Sequence, residues 1–153
     1  MPQFSTRRRV KHAAGDMFDL VADIERYPEF VPLCAGMRVK SRTDTGEGVS
    51  VIVAVMTVAY KLIHQSFTSR VTLDRDKFTI LVEYLDGPFS RMQNRWTFRP
   101  AGEAASEVEF FIDYEFRSRT FAILAGAVFD TVFRRMAAAF EKRADEVYGR
   151  KLA

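Results

Sequence analysis

The stretch that decides the fold runs from Thr120 to Met136, TFAILAGAVFDTVFRRM. On a helical wheel its large apolar side chains, Phe121, Leu124, Val128, Phe129, Val132, Phe133 and Met136, sweep nearly half the circumference, and no charge appears before Asp130. The helical pattern starts after Ser118 and continues to about Tyr148, where Gly149 is placed to cap it. Gly126 stands among the charge-free first turns, where glycine costs about 1 kcal/mol relative to alanine, and so marks a hinge or a close contact. So wide an apolar face needs a partner surface.

Upstream, the hydrophobic period is two. In Met37 to Arg42 apolar and basic residues alternate, the TGEG segment turns the chain, and VSVIVAVMTVAYKLI follows with apolar residues on both faces. A strand of that kind is either covered on both sides or faces a cavity. Two further strands, HQSFTSRVTLDRD and KFTILVEYLDG, meet at a polar turn spanning Asp74 to Lys77. The last two alternate cleanly. Met92, Asn94, Trp96 and Phe98 share one face of the first, and Phe110, Ile112, Tyr114 and Phe116 share one face of the second, with PAGEAAS between them.

At the N-terminus, Arg7, Arg9 and Lys11 share one side of a segment whose other side carries Phe4, Thr6 and Val10, which suits an edge strand with a wet basic face. Met17, Leu20, Val21 and Ile24 then recur at helical spacing behind Asp16, and Pro28 is expected to halt that helix. Strands in series lie side by side, and the C-terminal helix is the long amphipathic element available to cover them. The expected architecture is α+β: a curved antiparallel sheet of about six to seven strands wrapped around one long C-terminal helix, with short helices after the first strand. At 153 residues, 48% of them hydrophobic and 28% charged, the chain reads as one domain over residues 1–153.

Composition narrows the function. The longest apolar runs fall short of the roughly 20 residues of a spanning helix, and no apolar signal-peptide stretch follows the basic N-terminal residues, so the chain reads as cytoplasmic and unprocessed. One cysteine, Cys34, makes no internal disulfide and reads as an inert buried thiol; with only His12 and His64 beside it there is no metal-ligand cluster. No glycine-rich phosphate loop or nucleophile elbow occurs, and Asp113 and Glu115 alternate away from Tyr114 toward solvent, which argues against an enzyme. The net charge of +3 is modest and its cations are scattered.

Three segments in order, VADIERYPEFVPLC, GPFSRMQNRWTF and VEFFIDYEFRSRTF running into AFEKRADEVYG, resemble the START-like, polyketide cyclase/dehydrase-type proteins of the coenzyme-Q-binding family, which includes ribosome association toxins. Leu33 stands where that family is expected to carry a tryptophan before the cysteine. The resemblance implies a helix-grip fold with a hydrophobic tunnel between sheet and helix. It further implies a non-enzymatic role as carrier or chaperone of a hydrophobic lipid, a ubiquinone-type polyprenyl quinone above all, in respiration, with no separate cofactor. A binding protein of the large ribosomal subunit, acting through a basic surface, is the alternative, and a cyclase-like enzyme with a titratable pocket is a third.

Within that frame Trp96, Asn94 and Tyr114 are either core residues or a cavity wall offering polar groups to a quinone carbonyl. Tyr27, Pro28, Phe30, Val31 and Pro32 form a proline-stiffened segment that either rims the cavity mouth or caps the core. Phe129, Val132, Phe133 and Met136 are the expected helix-borne wall of the tunnel. Arg7, Arg9 and Lys11, together with Arg134, Arg135, Lys142 and Arg143, are the candidate contacts to anionic headgroups at the inner membrane or to RNA. Oligomeric state is left open.

Overall fold

A computed structural model describes residues 3–149. Seven antiparallel strands form one sheet: β1 (Gln3–Val10), β2 (Cys34–Gly46), β3 (Val49–Tyr60), β4 (Ile63–Asp74), β5 (Thr79–Asp86), β6 (Phe89–Pro100) and β7 (Ser106–Phe116). The spatial order is β1-β7-β6-β5-β4-β3-β2, an unbroken meander from β2 to β7 with β1 closing onto β7. The connection from β1 to β2 therefore crosses the whole sheet, and it carries α1 (Ala14–Ala22) and a 3-10 helix (Ile24–Glu29). The curved sheet with one covering helix expected from the alternation, and the helix-grip fold that the resemblance implies, are found, closed by α2 (Arg119–Val147).

Local chemistry places these elements. Ser118 caps α2, its Oγ accepting the backbone N–H of Phe121 at 3.2 Å. The β5–β6 turn depends on Gly87: its φ is +144°, and a Cβ there would lie 2.6 Å from Phe67 Cβ. α1 ends at Ala22, earlier than the expected stop at Pro28, because the backbone leaves helical geometry at Asp23; Ile24 and Pro28 belong to the 3-10 helix instead.

The core lies between the concave face of the sheet and the helices. Ile52, Ala54, Met56 and Val58 of β3 point inward, while Val51, Val53 and Val55 lie half-buried on the other face, so this doubly apolar strand is covered on one side by helix and on the other only by its neighbours' side chains. Along α2 the buried residues begin at Ala125 and continue through Phe129, Val132, Phe133, Met136, Ala137, Phe140 and Ala144. Leu124 and Ile123 are exposed, while Phe121 in the same turns packs on Phe116, so only part of the apolar face meets the sheet there. Gly126 marks no close contact, since a Cβ added there would meet nothing within 4 Å, and α2 runs through it without a break. Among the described residues no helix is long and apolar enough to cross a membrane.

Candidate functional site

A cavity of about 50 Å³ lies between the sheet and α2. Its origin is a pairing of small residues. The two-residue turn at Lys61 and Leu62 sets Ala54 opposite Ser69 on β3 and β4, and both point inward. Larger neighbours (Met56, Phe67, Val71, Ile80, Met92) enclose the space that these two leave unfilled. Four further walls come from Tyr27 of the 3-10 helix, Trp96 of β6, and Phe133 and Met136 of α2.

The wall is almost wholly apolar. Asn94 is buried on it, and its Nδ2 donates to the Phe111 carbonyl at 2.8 Å, leaving Oδ1 with no partner among the described residues. That bond fixes the orientation of the amide and meets one side of its hydrogen-bonding capacity, so the buried polar group is tolerated. Tyr27 is buried with its O–H donating to the Val21 carbonyl at 2.5 Å, and burial pushes its phenol well above the usual tyrosine range. No aspartate, glutamate, histidine, lysine or arginine lines the cavity. It offers hydrophobic contact and a few hydrogen-bonding groups, and no acid/base pair.

Of the twelve residues expected to hold a lipid, the structure brings five to this cavity: Tyr27, Asn94, Trp96, Phe133 and Met136. Trp96 is both wall and core, packed edge-on against Phe110 at 4.7 Å and Phe140 at 5.2 Å. Tyr114 and Phe129 lie beside the cavity in a plug of rings centred on Phe89, with centroids 5.9 and 5.5 Å from it, and burial raises the Tyr114 phenol. Val132 is fully buried and off the cavity wall. Pro28 is exposed, and Val31 is buried in the core. Phe30 and Pro32 face an outer groove that they share with Arg135 and Lys142 of α2. The segment after Tyr27 therefore lies against the outside of the helix, with Phe30 packed on Phe140 at 4.9 Å and under the Arg143 guanidinium.

The cavity walls that sequence reasoning missed are on β3 to β5, chiefly Ala54, Met56, Ser69, Val71 and Val82. Their signal was present in the hairpin: once the turn is placed at Lys61 and Leu62, counting back along both strands pairs Ala54 with Ser69. Cys34 is buried, its Sγ 3.5 Å from the Gly36 carbonyl, and burial pushes its thiol up to about 11, as fits an inert side chain.

The basic residues separate into paired and unpaired groups. Arg7 lies 3.5 Å from Glu109 on β7, Arg134 is held by Asp130 at 2.9 Å, and Arg143 by Glu29 at 2.5 Å. Arg9 and Lys11 on the exposed side of the β1 edge, and Arg135 and Lys142 on α2, form no ion pair among the described residues. On the outer face of β6 and β7, Arg91 meets Asp113 and Glu115, and Arg99 meets Glu107 and Glu109. With Arg95 on the same face, three arginines of β6 stand against four acids of β7.

Comparison with known proteins agrees with this architecture. A solution structure of an 18 kDa protein from Caulobacter crescentus shares 34% identity and superposes with a TM-score of 0.77, covering 97% of this chain and 99% of the other. An aromatase/cyclase from Streptomyces has the same fold at 18% identity and a TM-score of 0.64, over 94% and 86% of the two chains. Among curated sequences, the ribosome association toxin RatA of Escherichia coli is 35% identical over 97% of this chain and 90% of its own length. A Xenopus laevis protein named coenzyme Q-binding protein COQ10 homolog B is 28% identical over 97% of this chain and 60% of its own. Residues 10–141 match the family described as polyketide cyclase/dehydrase and lipid transport, and with its seven-stranded sheet gripping one long helix this chain belongs to that family.

Proposed function

We propose that this protein acts by associating with the ribosome, as a non-enzymatic binding domain whose contacts are electrostatic. The observation that carries the reading is the 35% identity to a ribosome association toxin across nearly the whole of both chains. The interior supports it. A cavity of about 50 Å³ has room for a few waters, whereas sites for drug-sized ligands are roughly 300–1,000 Å³, so in this conformation a polyprenyl quinone has no place between sheet and helix. The surface supports it too: Arg9 and Lys11, at the end of β1, and Arg135 and Lys142, on α2, make no ion pair among the described residues. Such cations displace counterions from a phosphate backbone and make binding salt-dependent.

Pelleting with purified ribosomes through a sucrose cushion tests the reading. Arg9→Glu with Lys11→Glu, and Arg135→Glu with Lys142→Glu, are compared with wild type at increasing salt. At least one pair should abolish pelleting at low salt while leaving the melting temperature in place. Pelleting untouched by either pair would remove the electrostatic surface from the proposal.

Carriage of a hydrophobic lipid is the second reading, favoured by the apolar cavity with its unpaired Asn94 oxygen and by the relative named for coenzyme Q binding. It requires α2 to move off the sheet, because the present space is too small. Organic extraction of the purified protein followed by mass spectrometry decides it: a stoichiometric polyprenyl quinone supports the carrier, and a lipid-free extract supports the ribosomal reading. The cavity's lack of carboxylate, imidazole or amine groups is the basis for proposing no enzymatic step.

A further inference from the structure

One end of the molecule presents aliphatic side chains to solvent. Leu62, at the tip of the β3–β4 turn, is 102% exposed relative to an extended reference, and Ile123 and Leu124 in the first turns of α2 are 84% and 67% exposed, with Tyr60 at 42%. The two segments are neighbours: Tyr60, Ile63 and His64 line one groove with Phe121, Leu124 and Val128. Scattered exposed leucines are ordinary, but a contiguous apolar surface in one place marks an interaction site.

Charge says what that surface faces. No acidic residue occurs between Glu47 and Asp74, nor between Glu115 and Asp130, so both segments are free of negative charge. Arg70, further along β4, is paired with Glu83; the cations nearest the tip are Lys61, Arg117 and Arg119, of which Lys61 lies over the Tyr60 ring and the two arginines make no ion pair among the described residues. The neighbouring β5–β6 hairpin adds half-exposed Leu85 and one acid, Asp86. Arg119 opens α2, whose first turn carries no acidic residue, although the helix dipole favours a negative group at that end. Lys61 holds a φ of +55°, a conformation better suited to glycine or asparagine, and so sets a lysine and a leucine at the extremity of the turn. Cations placed against the dipole, around bare aliphatic side chains, fit an external surface that is anionic at its boundary and apolar beneath.

We propose that this tip, the β3–β4 turn together with the first two turns of α2, docks on an anionic lipid bilayer. A phosphate backbone would engage the cations but gain little from Leu62, Ile123 and Leu124, whereas a bilayer engages both. The interior continues the same chemistry: Phe121 packs against Phe116 at 5.4 Å, Phe116 stacks on Phe89 at 5.2 Å, and Phe89 meets Phe67, a wall of the cavity, at 5.4 Å. An unbroken aromatic path thus joins the docking tip to the cavity. The inference is independent of ribosome association, which rests on other residues.

The test is flotation of the full chain with phosphatidylcholine vesicles, with and without phosphatidylglycerol. Wild type should float with the anionic vesicles, weakly with the neutral ones, and less as salt rises. Combining Leu62→Ser, Ile123→Ser and Leu124→Ser should lower the partition coefficient at least about tenfold without moving the melting temperature, because all three side chains already stand in solvent. Lys61→Glu with Arg117→Glu and Arg119→Glu should erase the preference for anionic vesicles, at roughly fivefold or more per charge. Arg9→Glu with Lys11→Glu should leave flotation unchanged. Wild type that floats with neither vesicle overturns the proposal, as does a triple-serine variant that floats like wild type. A triple-serine variant that loses ribosome pelleting while it still floats would assign the tip to the ribosome instead.

Discussion

The two ends of α2 are built from similar residues and placed in opposite surroundings. From Ala125 to Ala144 its apolar side chains are buried between sheet and 3-10 helix, with Phe140 edge-on to Tyr27, Phe30 and Trp96 at 5.1, 4.9 and 5.2 Å. One turn earlier, Ile123 and Leu124 stand in solvent. Hydrophobicity does not distinguish them; what does is which way each faces. In the first turn Phe121 packs on Phe116 and Phe129, while Ile123 and Leu124 point away from the core. Apolar residues that the fold could have buried and did not are the ones to examine for a partner.

The sharpest way to break this comparison is to place a charge at each end. Val132→Glu, at a fully buried position, should prevent folding as judged by circular dichroism, because the carboxylate would be desolvated without a partner. Ile123→Glu should leave the melting curve where it is. Comparable melting temperatures for the two would mean that α2 is not seated as described.

Truncation sharpens the same contrast with numbers. Phe140→Ala should cost about 3–5 kcal/mol in denaturant unfolding, since its ring is fully buried among three aromatic neighbours. Leu124→Ala should change stability by no more than about 0.5 kcal/mol.

The buried side also has a pH signature. Burial raises the Tyr27 phenol and moves the Cys34 thiol from 9.0 to about 11. Both groups hold their protons in the folded protein at pH values where the unfolded chain releases them. Above the unfolded thiol's pKa the unfolded state binds fewer protons, so stability falls as pH rises from about 9 to about 11 and is unaffected by these groups below that window. Melting temperatures across this range should decline, and Cys34→Ala should flatten part of the decline.

A smaller effect tests the cavity. Ser69→Val replaces the hydroxyl with a methyl and adds a second methyl where Ala54 leaves room, and should be neutral or stabilising by up to about 1 kcal/mol. A loss well beyond that would mean the space beside Ser69 is already full.

Much of the fold was legible because period-two alternation followed by one long helical face admits few arrangements, and the seven strands in meander order are the ones the pattern delimits. Trp96, Asn94, Phe133 and Met136 could be assigned to the inner surface because each sits on the apolar side of its own element. Two kinds of fact were not legible. The exposure of Ile123 and Leu124 depends on which strand ends lie beside the first turns of α2, and a helical wheel holds no information about that. The cavity depends on which small residues meet across strands, so Ala54 and Ser69 are unremarkable until the hairpin register pairs them. The end of α1 at Ala22 was missed for a related reason: apolar spacing carries through Ile24, but the backbone turns at Asp23 to lay the next segment against α2.

Ribosome association is tested most directly by sedimenting the purified wild-type protein with ribosomes on a sucrose gradient at low and high salt. The protein should migrate with a ribosomal particle at low salt and return to the top of the gradient as salt rises, carrying no polyprenyl quinone in either fraction. Protein that stays at the top at every salt concentration, and yields a bound quinone on extraction, would contradict the ribosomal reading and leave the lipid carrier in its place.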